Sequence, residues 1–211
     1  MKKISLLLAL CVLCLCLAGC GTDKNVPTPS VVPTQNFDLR TDIQLSVDSN
    51  VAQKVKFTMT DGKAFIIETA PQFAPRTVQN FLYLVETGFY NGLTFHRVID
   101  NFVAQGGDPK GDGTGGSSDT IPGEFAQNGF DKNTLSHTRG VVSMARTDNM
   151  NSATSQFFIC YSDISYLDGG YAGFGTVVEG MDVIDSFLLL ERDQNGKPAV
   201  PPVIATAEIL K

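Results

Sequence analysis

The chain has 211 residues and a formal net charge of −6, from 22 acidic and 16 basic side chains. An acid excess without a Lys/Arg cluster excludes nucleic acid as the main partner. Its length leaves room for one domain and a terminal extension.

The N-terminus reads as a targeting segment: Lys2 and Lys3, an apolar run from Ile4 to Leu17, then Leu17-Ala18-Gly19-Cys20. The run falls short of the about 20 apolar residues that a membrane-spanning helix needs. Its ending resembles a bacterial lipobox, which implies cleavage before Cys20 and a diacylglyceryl group on that thiol; an ordinary secretory signal is the alternative. Two acyl chains, at about 0.8 kcal/mol per buried CH₂, anchor stably where one is marginal. Residues 1–19 are therefore expected to be a lipoprotein signal peptide and Cys20 the lipidation site. The expected location is the cell membrane, lipid-anchored on its extracytoplasmic face. Removing residues 1–19 deletes two lysines and no acid, so 14 basic against 22 acidic groups leave −8.

From Gly21 to about Thr41 the chain is rich in Thr, Pro, Ser and Asn, with Pro27, Pro29 and Pro33 spread through it. Such a stretch buries too little apolar surface to offset its ordering entropy, so residues 20–41 are expected to be a flexible tether and 42–211 the folded domain. Cys11, Cys14 and Cys16 fall in the expected signal peptide, which leaves Cys160 as the one free thiol and no disulfide framework. Following Phe158 and Ile159, Cys160 reads as a buried small hydrophobe, with a reactive thiol as the alternative.

Within the domain, Val55–Thr60 and Lys63–Thr69 flank Asp61-Gly62, a hairpin signal. Pro75 opens a helical pattern with Val78, Phe81, Leu82 and Val85 on one face, and Gly88 stops it. Strand-like runs follow at 93–99, 102–105, 141–144, 156–160, 174–178 and 203–210, with a second helix over 181–190. About eight short strands and two helices predict a mainly β fold, a closed antiparallel barrel capped by helices. The Gly-, Asp- and Ser-rich stretch from Gly106 to Glu124 is expected to be a surface loop of functional type.

The most informative strings are Phe95-His96-Arg97-Val98-Ile99, then Phe102-Val103-Ala104-Gln105-Gly106-Gly107-Asp108, and Ser155-Gln156-Phe157-Phe158-Ile159-Cys160. Even spacing aims Arg97 with Gln105, and Gln156 with Phe158, at one side of neighbouring strands. These strings, with Gly113-Thr114-Gly115-Gly116, Ser143-Met144-Ala145 and Leu167-Asp168-Gly169 in the same order, resemble the cyclophilins, the peptidyl-prolyl isomerases. The resemblance runs from about Val55 to Leu210.

It implies a cyclophilin-like barrel, catalysis by Arg97 with Phe102 and Gln105, and a proline pocket walled by Phe102, Val103, Phe158 and Leu167. Gln105 and Gln156 would hold the substrate backbone, while Gly113, Ala145 and Arg146 would edge the groove by their backbone. The rim departs from the family: Val103 stands where Met is usual, Arg146 for Asn, Tyr166 for the Trp of human-type members and Tyr171 for their His. The implied partners are proline-containing polypeptides, with cyclosporin held weakly because Tyr166 replaces a Trp indole donor. The protein is expected to be a monomer. A binding module or holdase on the same fold is the alternative function.

The chemistry suits these residue types. Rotation about an X–Pro bond breaks amide resonance against a barrier of about 18–20 kcal/mol and needs no nucleophile, cofactor or metal. A permanently charged guanidinium can donate to the proline nitrogen as it becomes basic, and aromatic walls can hold the ring. His96 and His137 show no spacing that supports a nucleophilic triad. His96 is expected to face away from the pocket in a structural hydrogen-bonding role. The Asp108–Asp119 segment lacks the acids of an EF-hand, and Gly113–Gly116 lacks the Lys-Ser/Thr of a phosphate loop.

Overall fold

A computed structural model describes residues 36–211. The expected signal peptide, Cys20 and residues 21–35 of the expected tether lie outside the described residues. The described residues form eight strands: β1 (Lys54–Met59), β2 (Ala64–Thr69), β3 (Thr94–Val98), β4 (Val103–Asp108), β5 (Val141–Met144), β6 (Phe157–Cys160), β7 (Gly173–Glu179) and β8 (Ile204–Ile209). Helix α1 (Pro75–Glu86) follows β2, and α2 (Met181–Ser186) follows β7.

The strands form one antiparallel sheet in the order β3-β4-β6-β5-β7-β2-β1-β8. Its two edges meet where Thr94 bridges Val203, with the Phe95 N–H donating to Pro202 O at 3.0 Å and the Ile204 N–H to Leu93 O at 2.9 Å. The barrel is thus nearly closed, which removes most of the exposed edge a sheet would otherwise present. The β1–β2 hairpin turns at Asp61-Gly62, Gly62 taking a left-handed φ of +84°.

Alternation on β1 and β2 sends Val55, Phe57, Met59, Phe65 and Ile67 inward, where they meet the helix face of Val78, Phe81, Leu82 and Val85. Aromatic rings fill the interior: Phe57 stacks on Phe65 at 5.1 Å, Phe81 meets Phe174 at 4.9 Å, and Phe95 lies edge-on to Phe157 at 5.9 Å. Around β4, β6 and β5 the other face is apolar too. Ala104, Phe157, Ile159 and Val142 point into the barrel, while Val103, Phe158, Cys160 and Val141 form a second cluster outside it, covered by Phe102, Leu135, Ile164, Leu167 and Tyr171. That outer cluster carries the site.

Helix α1 has Pro75 at its start and no side-chain cap from Ala74. Glu124 supplies the cap from a distant loop, accepting from the Arg76 N–H at 2.9 Å and from the Thr77 N–H and hydroxyl at 2.7 Å. Burial raises the Glu124 carboxyl above its usual range against the opposing pull of those donors.

The observed elements differ from expectation in three places. Strand β4 continues to Asp108, so the loop begins three residues later than its Gly-Gly pair suggested; a Cβ on Gly107, at φ +82°, would stand 2.5 Å from Ser155 O. The second helix ends at Ser186 and tightens into a turn over Phe187–Leu189, which seats Phe187 at 5.0 Å from Phe95 and leaves Leu189 exposed. Packed chain also starts before residue 42. The Phe37 ring lies 4.9 Å from Phe130, Arg40 and Gln79 exchange backbone-to-amide bonds of 2.8 Å, and Arg40 pairs with Asp42 and Asp119.

The interior tolerates little loss of volume. Phe157→Ala is expected to cost about 3–5 kcal/mol, the range for an aromatic removed from a packed core, read from the denaturant midpoint. A loss under about 1 kcal/mol would mean that the cluster around Phe157 is loosely packed.

Candidate active site

Cross-strand register builds the site. Arg97 on β3 pairs with Gln105 on β4, Gln105 with Phe158 on β6, and Phe158 with Ser143 on β5. Directly paired residues share a face, so these four side chains form one row across the outside of the barrel. A bulge in β3 at His96 restores Arg97 to that face.

Polar atoms run along the row in sequence. Arg97 Nη1 donates to Gln105 Oε1 at 3.3 Å, Gln105 Nε2 to Gln156 Oε1 at 2.9 Å, and Gln156 Nε2 to Gly113 O at 3.1 Å and Gly115 O at 2.7 Å. The Arg97 guanidinium carbon also sits 5.6 Å over the Phe102 ring. Among the described residues no carboxylate pairs with Arg97. Its remaining donors are open to a ligand.

Beside this chain lies a cavity of about 170 Å³ lined by Arg97, Phe102, Val103, Gln105, Ala145, Arg146, Phe158, Leu167 and Tyr171. That is smaller than the about 300–1,000 Å³ of a typical small-molecule site and suits one ring. Tyr171 meets Phe158 edge-on at 5.8 Å and closes the far wall. A second cavity of about 570 Å³ shares Gln105, Ala145 and Arg146 with the first and extends over Gly113–Ser117, Thr147, Ser152, Thr154 and Gln156.

The loop under the second cavity is organised by Asp108, which is 1% exposed. Its carboxylate accepts from the backbone N–H groups of Lys110 (2.8 Å), Asp112 (3.1 Å) and Gly113 (2.6 Å). Burial by itself would raise that carboxyl, but these amides together hold it below the usual range. Gly115 has no room for a side chain, since a Cβ there would stand 2.0 Å from an Asp108 oxygen.

With this geometry in place, residues 54–209 match the family model described as cyclophilin type peptidyl-prolyl cis-trans isomerase/CLD. The chain belongs to the cyclophilin family. A probable peptidyl-prolyl cis-trans isomerase of Brucella abortus is 38% identical over 179 residues, covering 79% of this chain and 87% of that protein. Peptidyl-prolyl cis-trans isomerase A of Dickeya dadantii is 42% identical over 149 residues, 66% of this chain and 76% of its own. A Gibberella zeae isomerase-like protein is 41% identical over 132 residues, 63% of this chain, which spans about a fifth (22%) of that larger protein. The crystal structure of a Cryptosporidium parvum cyclophilin superposes with a TM-score of 0.68 at 30% identity, covering 76% of this chain and 99% of that one. Another structure of it was determined in the presence of the dipeptide Ala-Pro. The activity that goes with the family is prolyl cis–trans isomerisation.

Most residues expected at this cyclophilin's site converge on the two cavities, and four expectations change. Gln156 does not offer its amide to a substrate: both N–H groups hold the Gly113–Gly115 loop and its oxygen takes Gln105. Arg146 edges the groove with its side chain, donating to Gly170 O from Nε (3.0 Å) and Nη2 (2.8 Å) and stacking on Tyr171 and Phe125. Tyr166 lines neither cavity and stands 75% exposed on the adjoining turn. His96 is buried under the loop at Gly113, and among the described residues neither ring nitrogen has a hydrogen-bond partner, so the expected structural hydrogen bond is not made there.

A Ser-His-Asp constellation that spacing did not suggest is also present. His137 Nδ1 lies 2.7 Å from Asp168 Oδ1 and its Nε2 lies 2.9 Å from Ser143 Oγ. Because a carboxylate only accepts, Nδ1 donates to Asp168, and in the neutral ring Nε2 then accepts the Ser143 hydroxyl. Ser143 is fully buried and lines neither cavity, so it cannot act as a nucleophile. The group instead fixes the β5 end of the row, with the His137 ring 6.1 Å behind Phe158. Cys160 is buried in the same layer, where desolvation and then Asp168 push its thiol up to about 12, as a structural hydrophobe requires. Among the described residues no group of three His, Cys, Asp or Glu side chains is placed to hold a metal.

His96 has a measurable signature. Desolvation, aided by Arg97 and opposed by Asp108, holds its pKa below the usual imidazole value. The unfolded chain therefore protonates first, and stability present above about pH 6.5 is lost as pH falls, by at most about 1.4 kcal/mol per pH unit. Melting curves between pH 7 and 5 should show that slope in the wild type and a shallower one in His96→Gln. Equal slopes would mean that His96 titrates normally in the folded protein.

Proposed function

We propose that this chain is a membrane-tethered prolyl isomerase acting on polypeptides that fold outside the cytoplasmic membrane. The observation that carries the catalytic half is the placement of an Arg97 guanidinium, unpaired with any described carboxylate, beside a ring-sized apolar cavity. Phe102, Val103, Phe158 and Leu167 would hold the pyrrolidine ring, and their apolar surface disfavours the charge separation of the planar amide. As the bond twists, the proline nitrogen pyramidalises and gains a lone pair, which Arg97 can meet with an N–H. Gln105 keeps the guanidinium from swinging away, and it is itself steadied by Gln156. Lowering the barrier by about 7 kcal/mol in this way corresponds to about five decades in rate.

The cellular half rests on the sequence Leu17-Ala18-Gly19-Cys20 after an apolar run and on the acidic, Lys-poor surface that leaves a lipid as the membrane link. Weak cyclosporin binding belongs to the same proposal, because the exposed Tyr166 phenol offers a smaller ring and a differently placed donor than an indole.

Arg97→Ala should keep the fold and lower kcat/KM on a proline tetrapeptide by at least about two decades, on the order of 3 kcal/mol of transition-state stabilisation. Near-normal turnover in a well-folded variant would remove Arg97 from the mechanism, while capture of proline segments with no turnover in the wild type would favour a holdase.

For the anchor, mass spectrometry of the mature N-terminus in a bacterial host should find a diacylated Cys20. Cys20→Ser should abolish that modification and stall processing; an unmodified terminus at another residue of the wild type would refute the lipobox.

A further inference from the structure

The two cavities of the groove have an unusual charge balance. Among the described residues the only charged ones lining the first are Arg97 and Arg146, and the only one lining the second is Arg146. Yet the described residues hold 13 basic and 21 acidic side chains, a net of −8. Every other arginine that forms an ion pair does so away from the groove: Arg40 with Asp42 and Asp119, Arg139 with Asp185, and Arg192 with Asp100.

Arg146 is held where a ligand would meet it. Its Nε and Nη2 donate to Gly170 O and its Nη1 donates to Thr147 O at 2.8 Å, all neutral acceptors. Its guanidinium carbon lies 4.6 Å from the Tyr171 ring centre and 5.1 Å from that of Phe125, so the plane is fixed by aromatic contacts. A guanidinium has five N–H donors. Three are used, leaving one on Nη1 and one on Nη2, and no described carboxylate neutralises the charge. The wall between the proline cavity and its neighbour is therefore a rigid cation with spare donors.

From this we infer that the groove selects proline segments with a carboxylate side chain within two residues of the isomerised bond, and that Arg146 sets this preference. The inference rests on the isomerase reading and adds a substrate class to it. Asn, usual in the family at this position, would give a neutral wall and no such preference.

The test uses the full chain in a non-ionic detergent and tetrapeptides with Glu or Gln at each position flanking the proline. At least one position should favour Glu over Gln by about three- to tenfold in kcat/KM, the range of a partly buried charge-assisted contact. The ratio should shrink in 1 M NaCl, where the screening length drops to about 3 Å. Arg146→Asn should bring the ratio to about one whatever its absolute turnover, and Arg146→Lys should restore part of it. Ratios near one at every position in the wild type, or a ratio unchanged in Arg146→Asn, would overturn the inference. Should Arg146→Asn not fold, the Lys variant and the salt series decide together: a ratio unchanged both in Arg146→Lys and in 1 M NaCl would overturn the inference. Absence of turnover with every peptide would instead fail the isomerase reading itself.

Discussion

Burial on both faces of β4, β6 and β5 is the constraint on which the rest of the structure depends. A strand of an antiparallel sheet ordinarily turns one face to water, and its sequence alternates accordingly. Here Phe157 and Ile159 fill the barrel while their neighbours Phe158 and Cys160 form a second, outer layer with Val103 and Val141. The outer layer can exist only because residues 161–172 fold back over it, contributing Ile164, Leu167 and Tyr171. A gap left in that cover, between Phe158 and Arg97, is the smaller, ring-sized cavity. Pocket and second core are thus one construction.

The polar part of the site is ordered by the same sheet. Arg97, Gln105 and Gln156 each hold the next, and the series ends on carbonyls of a loop that Asp108 has already gathered around its own carboxylate. Within that series each amide and the Asp108 carboxylate has a partner whose donor or acceptor it needs, which is what keeps a polar network in an apolar surround from being a cost; His96, beneath the same loop, is the exception. On the opposite end of the row, Ser143, His137 and Asp168 satisfy one another behind Phe158. The arrangement shows why a Ser-His-Asp geometry alone does not define a hydrolase: accessibility of the hydroxyl decides.

Much of this was legible in the chain. Period-2 and period-3.6 patterns located all eight strands and both helices, and the even spacing of Arg97, Gln105, Gln156 and Phe158 placed them on one face before any pairing was known. What stayed hidden depends on pairing between distant segments. Asp168 lies 31 residues from His137, and nothing local in either marks the other. The fate of the Gln156 amide depends on a loop 41 residues earlier. His96 looked like an ordinary alternating residue because a bulge has no sequence mark of its own here. Phe37 and Arg40 were masked by the Pro- and Thr-rich composition that precedes them.

The loop between β4 and the cap of α1 is fastened at both ends, by the amide cradle of Asp108 and by Glu124 at the Arg76–Thr77 backbone. Between those fixings, Ser118, Asp119 and Thr120 are exposed, and only Asp119 makes an ion pair, with Arg40. Ser118 and Thr120 enter none of the bonds that hold Arg97, its glutamine supports or the N-terminus of the helix. The fold therefore separates the Arg97 row from a short span free to drift, which begins just past Ser117, the last residue of this loop to line the second cavity. Descendants of such a chain could acquire new client preferences by altering a few surface residues while the chemistry stayed as it was.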